Sequence, residues 1–269
     1  MDTIVTFLHL LMVIDNELGR TLAQRCTLLG DVHRAMLLEE WSVAKMRWLA
    51  DAGIVPSATG FVNAYGSEVL FGLKLLAVFL TSSFESTCSS PVCLSIVSEH
   101  RSPFPVLANQ AGINFNLKNA RRDWQKPPPT PCKDIDSSED LPTGVISIPS
   151  VGCPGVRTFQ RRVFVHGAPP VFAFSLVGFA LESSAMLDVE IEILDHRYRL
   201  FALTFHSTQR DHYTGSVRLD APYEEGWWHY DGLGHVRRPA RMRKTGSLHH
   251  PPRSTVSSVL YMLLGSSQQ

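Results

Sequence analysis

Residues 198–231 read YRLFALTFHSTQRDHYTGSVRLDAPYEEGWWHYD, and this stretch decides the fold. His212 begins one strand-like segment and Asp231 ends the next, with a turn predicted over Asp220–Glu225 between them. Two neighbouring strands would therefore bring the two side chains together. A carboxylate that holds a neutral imidazole fixes its tautomer and stabilises the imidazolium, which is what a hydrolase needs to deprotonate a nucleophile. The pattern predicts a general base and its orienting carboxylate.

The same stretch resembles the histidine box of the ubiquitin-specific proteases, which are cysteine hydrolases of the papain-like group. The matching positions are Tyr198, Leu200, Ala202, His206, His212, Tyr213, Trp227, Tyr230 and Asp231. Asp211 departs from the pattern, since the family usually has glycine there. The resemblance continues through Pro169–Phe179, with Gly178 in place of an arginine, and through Tyr261–Leu264. It covers the C-terminal half of the chain and gives His206 a structural role.

The resemblance implies an α+β, papain-like ubiquitin-specific protease fold in one catalytic-type domain. That domain would comprise a short helical lobe at residues 1–81, a finger-like insertion at 82–156 and an antiparallel sheet at 157–269. The implied activity is cysteine-type deubiquitination, in which a thiolate attacks the isopeptide carbonyl after a ubiquitin C-terminus. His212 would return a proton to the leaving amine, and Asp231 would orient the imidazole. The expected substrate contacts are Tyr213, Trp227 and Trp228, and the expected partner is ubiquitin or a ubiquitinated protein.

The nucleophile is the part of the family pattern that the sequence lacks. The family's cysteine box reads roughly G-N-T-C-[YFW]-x-N, and no segment here matches it. The candidate is Cys26, in LAQRCTLLGD, whose apolar neighbours are typical of a helix interior. A helix start is where the dipole lowers a thiol pKa, so we expect a buried, unactivated Cys26 away from His212. Two interpretations stay open: a deubiquitinase, or a non-catalytic ubiquitin-binding pseudoprotease or truncated fragment.

The other four cysteines raise the question of a metal. Cys88, Cys93, Cys132 and Cys153 could supply four thiolates to a zinc ion. Their spacing gives one loose pair instead of two close C-x-x-C pairs, and Val156 stands where the second pair of the resembled family's finger would end. We expect a degenerate finger and no metal cofactor.

The composition of the chain limits the classes of protein to which it can belong. The chain has 269 residues, is 44% hydrophobic and has a formal net charge of zero, which allows a substantial core and argues against general polyanion binding. Five irregularly spaced cysteines indicate a reducing compartment, the cytoplasm or nucleus. No nucleic-acid or membrane partner is expected. The run Arg237–Arg253, with six Lys/Arg and no acid, is typical of an exposed loop, the alternative being a docking surface for an acidic partner.

Periodicity predicts the elements around the opening stretch. Residues 1–15 are expected to form a buried helix, since they lack the basic start and the cleavage site of a signal peptide. Further helices are expected over Asp31–Gly53, capped by Asp31, and over Ser67–Leu80, with an exposed loop at Asp134–Asp140. Strands are expected at Val163–His166, Val171–Phe179, Leu187–Ile193, Tyr198–His206, Tyr213–Leu219, Gly226–Tyr230 and Ser257–Leu264.

Overall fold

The computed structural model describes residues 2–51, 80–91, 93, 96–101, 117–132, 153–176, 187–207, 209, 212–231 and 241–264. Its helices are α1 (Asp2–Ile14), α2 (Asn16–Arg25), α3 (Thr27–Leu37), α4 (Trp41–Asp51) and α5 (Leu117–Gln125). Its strands are β1 (Thr81–Cys88), β2 (Ile96–Arg101), β3 (Thr130–Pro131), β4 (Val156–Phe159), β5 (Val163–Phe164), β6 (Val171–Ser175), β7 (Glu190–Ile193), β8 (His196–Ser207), β9 (His212–Leu219), β10 (Gly226–Asp231), β11 (Arg241–Lys244) and β12 (Thr255–Leu263). Helices and antiparallel sheets are therefore combined in the α+β manner that the sequence predicted.

The buried helix predicted at the start of the sequence is confirmed as α1. Ile4, Phe7, Leu8 and Leu11 recur at helical spacing and are 0% exposed, so one side of α1 is core. The helix ends where Asp15 caps α2, its carboxylate accepting the amides of the second and third residues beyond it at 3.1 and 2.9 Å. Within the described part of the chain, none of the helices has the length and apolar character needed to cross a membrane.

The single helix predicted over Asp31–Gly53 is wrong. The chain breaks between α3 and α4, because Glu39 adopts a left-handed conformation with φ 61° that a helix cannot contain. Asp31 lies inside α3 and is not a cap. Val43 and Met46, which would share one helical stripe with Val32 and Met36 in a continuous helix and so be buried, are more than 40% exposed. The helix predicted over Ser67–Leu80 falls outside the described residues except for Leu80, which is buried and non-helical just before β1.

The first sheet has the strand order β2-β1-β4-β3, and β5 also pairs with β1. Its strands include Val156–Phe159 and Val163–Phe164, so the predicted division between residues 156 and 157 falls within β4. The strand predicted at Val163–His166 belongs to this sheet because Val163 pairs with Ser83, and not to the C-terminal sheet. The loop predicted at Asp134–Asp140 lies outside the described residues.

The second sheet runs β11-β10-β9-β8-β12-β6, with β7 also pairing with β8. All these pairs are antiparallel. The remaining predicted strands are found with shifted ends. Part of the basic run predicted as a loop is instead the edge strand β11, since Arg243 pairs with His229 of β10.

Strand alternation gives the second sheet two different faces. We call the side that carries Gly215, Val217 and Tyr230 the helix face, because it packs against α1 and its core. A Cβ at Gly215 would lie 2.5 Å from the Phe7 ring, so glycine lets the helix approach. We call the opposite side the cavity face; it carries Thr214, Ser216, His229 and Asp231.

Candidate functional site

His212 and Asp231 lie at the ends of two paired strands. His212 begins β9, Asp231 ends β10, and the register pairs Asp231 with Thr214, two residues after the histidine. The Nε2 atom of His212 is 2.7 Å from Oδ1 of Asp231. The imidazole side chain is 14% exposed and the carboxylate 45%. The predicted proximity of the two groups is confirmed, whereas their catalytic role stays a prediction.

This contact orients the imidazole ring. A carboxylate only accepts hydrogen bonds, so in the neutral ring the Nε2–H donates to Asp231 and the lone pair lies on Nδ1. Nδ1 is then the atom able to take a proton from a thiol, an alcohol or a water molecule. The pair supplies an oriented base, and a covalent hydrolase would also need a nucleophile beside it.

The pair opens into a cavity of about 540 Å³ on the cavity face. The cavity is lined by Ser207, Gln209, His212, Thr214, His229, Asp231, Arg243, His249, Pro251, Pro252, Arg253 and Ser254. The sequence reasoning missed the contribution of Arg243, His249 and Arg253. The signal was the unusual density of basic residues around them, which by itself is equally typical of an exposed loop.

Burial shifts the pKa values of two histidines in this cavity. Desolvation, with smaller effects of His249 and Arg243, lowers the pKa of His229 to about 4. Desolvation, followed by Arg243 and His250, also lowers the pKa of His249. Their rings lie 4.9 Å apart in an edge-to-face arrangement. Both histidines are therefore neutral hydrogen-bonding groups at pH 7.

Cys26 lies in the hydrophobic core on the helix face. It is 7% exposed and clusters with residues that include Leu22, Leu29 and Val217. Burial raises the pKa of its thiol, despite nearby amides of α3 that act in the opposite direction. The prediction of a buried, unactivated thiol is confirmed, and Cys26 lies on the helix face, whereas His212 lines the cavity on the opposite face of the sheet.

The reason given for an unactivated Cys26 needs correction. The residue is not inside a helix: with φ −135° and ψ 94° it separates α2 from α3 and is the N-cap residue of α3. Its side chain makes no capping hydrogen bond. Desolvation by the packed helices, and not a position in mid-helix, keeps the thiol protonated.

None of the three residues predicted to contact substrate lines the cavity. Tyr213 stacks on His206, with ring centroids 4.6 Å apart. Trp227 packs against the core beneath the cavity face, whereas Trp228 packs against the helix-face core and donates its indole N–H to the Glu224 carbonyl at 3.0 Å. Successive residues of a strand point to opposite faces, so the two tryptophans lie on opposite faces of the second sheet, and their role as substrate contacts stays a prediction.

A second cluster lies at one end of the first sheet. The Sγ atoms of Cys88, Cys93, Cys132 and Cys153 all lie within 4.8 Å of one another. Three measured Sγ–Sγ distances are 3.6 Å for Cys88–Cys153, 3.9 Å for Cys93–Cys132 and 3.1 Å for Cys93–Cys153. None of these four cysteines forms a disulfide bond.

The backbone explains how the four thiols converge. Cys88 ends β1, and Cys93 follows in a turn whose amide donates to the Ser90 carbonyl. The pairing of β3 with β4 continues into a 2.8 Å hydrogen bond from the Cys132 amide to the Gly155 carbonyl. Although Val156 stands where the second close pair would end, Cys132 supplies the fourth thiol from the end of the neighbouring strand.

The donor set fits a tetrahedral metal ion. Zn–S bonds of about 2.3 Å in tetrahedral geometry require sulfurs ~3.8 Å apart. The 3.6 and 3.9 Å distances match this value, and the Cys93–Cys153 distance of 3.1 Å is shorter. The amides of Ser90 and Gly155 each donate to a cysteine Sγ at 3.4 Å. A Cβ at Gly155 would lie 2.5 Å from the Cys88 Sγ. Arg157 donates to the Cys132 Sγ at 3.5 Å, which offsets part of the negative charge that four thiolates would bring.

Two comparisons relate the chain to known proteins. The family model described as DRIP1, dopamine receptor-interacting protein 1, matches residues 4–262. Among solved structures, the chain is similar to the Saccharomyces cerevisiae apo Pan2 pseudoubiquitin hydrolase–RNA exonuclease module, with TM-score 0.45 and 13% identity over 74% of this chain and 38% of that one. It is also similar to the SAGA Ubp8/Sgf11/Sus1/Sgf73 DUB module bound to ubiquitin aldehyde, with TM-score 0.41 and 12% identity over 84% of this chain and 49% of that one. The chain thus spans less than half the length of each of these two structures.

Proposed function

This chain belongs to the dopamine receptor-interacting protein 1 family, and we propose that it is a papain-like, ubiquitin-specific-protease-like domain that binds ubiquitin or a ubiquitinated protein without cleaving it. The motifs within residues 198–231 support the ubiquitin part of the proposal. A binding role also agrees with the family's description, which names an interaction. The proposed setting is the cytoplasm or nucleus, with no nucleic-acid or membrane partner.

The location of the five cysteines carries the proposal. His212 and Asp231 form an oriented base, but none of the five lines the cavity beside them. Cys26 is buried with a raised thiol pKa. The other four are clustered with one another. A thiol hydrolase needs a thiolate within hydrogen-bonding distance of its base, and the chain's own cysteines do not supply one.

The experiment measures binding and covalent capture separately. Purified protein is titrated with ubiquitin by calorimetry and then incubated with a ubiquitin probe that carries a C-terminal electrophile. We expect saturable binding without a covalent adduct. Absence of binding would overturn the proposal, and an adduct that disappears in Cys26→Ala or His212→Ala would replace it with an active protease. His196→Ala, an exposed histidine at the start of β8, is the control.

A thiol-dependent deubiquitinase is the second candidate, and the intact His212–Asp231 hydrogen bond favours it. A site that has lost catalysis has no need of an oriented base, and this one keeps it at 2.7 Å. For this second candidate, the nucleophilic thiol would be supplied by a residue other than these five cysteines, in a further segment or in a partner chain. Cleavage of a fluorogenic ubiquitin substrate that is abolished in Asp231→Ala would establish it.

We further propose that Cys88, Cys93, Cys132 and Cys153 hold a structural zinc ion. The convergence of four thiols supports the proposal, since four-thiolate sites with closed coordination are structural and not catalytic. The metal would fix the end of the first sheet and take no part in chemistry at His212. Elemental analysis of the purified protein is expected to give one zinc per chain.

A further inference from the structure

The cavity beside His212 is built from two parts. Its floor is the cavity face of β9, β10 and β11, which contributes Thr214, His229 and Arg243. Its wall is the segment His249–Ser254, between β11 and β12. A volume of about 540 Å³ lies within the range of pockets that hold small ligands or short peptide segments.

The wall is held in place by hydrogen bonds. Ser216 donates its hydroxyl to the His249 carbonyl at 2.9 Å. His250 Nε2 lies 3.0 Å from the Ser254 carbonyl, and the Ser254 hydroxyl donates to the Pro251 carbonyl at 2.6 Å. A wall fixed before binding reduces the ordering cost that a ligand must overcome.

Counted over the arginines and carboxylates of the described residues, the charges that line the cavity sum to a single positive charge. Arg243 and Arg253 are cations, Asp231 is the one carboxylate among the lining residues, and it already accepts from His212. Neither arginine forms an ion pair with a carboxylate within the described residues. The neutral His229 and His249 add hydrogen-bonding groups without adding charge.

Arg253 also has an unusual backbone. Its φ of 58° places it in the left-handed region, which is unfavourable for a side chain with a Cβ and persists where the surrounding structure holds it. Glycine or asparagine would relieve the strain. The structure instead has a guanidinium at this position, on the wall of the cavity.

We propose that this cavity binds the free C-terminal carboxylate of a peptide, with Arg243 and Arg253 as the recognising cations. The net charge of +1 matches a monoanionic carboxylate and not a phosphate dianion. Guanidinium groups form short, charge-assisted hydrogen bonds to carboxylates. The inference rests on the proposed function. Its preferred ligand is a ubiquitin tail whose C-terminal carboxylate is free and not in isopeptide linkage.

Matched ligands and variants test the proposal. Binding of ubiquitin with a free C-terminus is compared with binding of ubiquitin whose C-terminus is amidated. We expect the acid to bind about tenfold more tightly or better, as charged hydrogen bonds generally require. Arg243→Met and Arg253→Asn should remove that preference; asparagine tolerates the backbone of residue 253. Lys244→Met is the control. This substitution removes the same charge from the next position of β11, where Lys244 pairs with Glu224 outside the cavity.

The outcomes separate this inference from the proposed function. Equal binding of acid and amide would overturn carboxylate recognition and leave ubiquitin binding intact. If no form of ubiquitin binds, a panel of other peptides with free and amidated C-termini is titrated. A preference for acids that depends on Arg243 would then sustain carboxylate recognition and overturn ubiquitin as the partner, and its absence would overturn both. Displacement of the acid by inorganic phosphate at lower concentration than by acetate would contradict the monoanion argument.

Discussion

The thiol cluster of the first sheet and the His212–Asp231 pair of the second sheet differ in how the chain assembles them. The pair comes from one hairpin, and its members are 19 positions apart in sequence. The cluster joins residues as distant as Cys88 and Cys153, which are 65 apart. Both sets of polar atoms are close enough to act together, yet the pair lacks the nucleophile that catalysis requires, whereas the cluster holds the four donors that a zinc site requires.

This difference indicates which of the two sites has all the groups that its chemistry requires. A tetrahedral zinc site requires four donors and nothing else, and the first sheet brings four together. A thiol hydrolase requires a base, an orienting group and a nucleophile, and the second sheet provides two of these. The first sheet therefore has every donor of the proposed zinc site, while the second has the groups of the proposed binding surface and lacks a nucleophile.

The largest expected effect comes from removing one thiol of the cluster. Cys132→Ser should abolish zinc binding and unfold the end of the first sheet, because the binding energy of a structural metal contributes directly to folding. The measurements are zinc content by elemental analysis and limited proteolysis of the segment around β3 and β4. We expect zinc to fall from one per chain to none, with faster cleavage.

Cys26→Ser is the matched control for the thiol cluster. It removes a buried thiol of the same chain, so some stability should be lost, but zinc content should not change. Wild-type protein without zinc, or Cys132→Ser protein that retains it, would remove the contrast between a complete and an incomplete site.

The same contrast explains what the sequence could and could not predict. The His212–Asp231 contact was predictable because a short turn joins the two strands and fixes their register. The role of Cys132 was not, because its position depends on pairing between β3 and β4 across 20 residues that the structure does not describe. The break at Glu39 could not be predicted from residue type, since the left-handed residue is a glutamate and not a glycine or asparagine. Arg243 was missed because the edge strand β11 is rich in charge, which is typical of edges and of loops alike.

The next effect concerns pH and the helices on the helix face. His9 of α1 and His33 of α3 have Nδ1 atoms 3.0 Å apart, and burial, followed by the nearby His33, lowers the pKa of His9 to about 4. The unfolded chain takes up that proton near pH 6.5 and the folded chain does not. Stability is therefore full at neutral pH and falls as pH drops from about 6.5 to about 4, by up to ~3 kcal/mol.

Urea unfolding at a series of pH values from 7.5 to 4.5 measures this loss. His9→Gln should flatten part of the slope, with the remainder due to His33, His229 and His249, whose pKa values burial lowers in the same direction. His196→Gln, an exposed residue, should leave the slope unchanged. A wild-type protein equally stable at pH 7.5 and pH 4.5 would show that the two histidines are not packed as described.

A smaller effect tests whether the helices and the cavity occupy opposite faces of the second sheet. Gly215→Ala would place a Cβ within 2.6 Å of both Phe7 and Thr3, and such overpacking generally costs about 1–3 kcal/mol. Chemical unfolding should report that loss. Thr214→Ser, on the cavity face, should cost less. If Gly215→Ala is as stable as wild type, α1 does not lie against β9.

The smallest effect concerns the contact between the two sheets. Arg161, just before β5, forms two hydrogen bonds to Asp195, in the turn between β7 and β8, at 2.8 and 3.0 Å. The geometry is good, but the two side chains are 48% and 73% exposed. Water competes for both groups, so the interaction energy from a double-mutant cycle of Arg161→Ala and Asp195→Ala should be about 0.2–1 kcal/mol.

The neighbouring Arg162 shows what makes the contacts of an arginine side chain stronger. Its guanidinium is buried, donates to the Trp124 carbonyl at 2.9 Å and to the Ser82 hydroxyl at 3.2 Å, and lies over the Phe84 ring. Arg162→Met leaves two acceptors without their donor and should cost about 1–3 kcal/mol, more than either variant of the exposed pair. An Arg161–Asp195 coupling above about 2 kcal/mol would exceed what exposed ion pairs supply. The two sheets would then be joined at that surface contact, and zinc removal from the first sheet should weaken ubiquitin binding by the second.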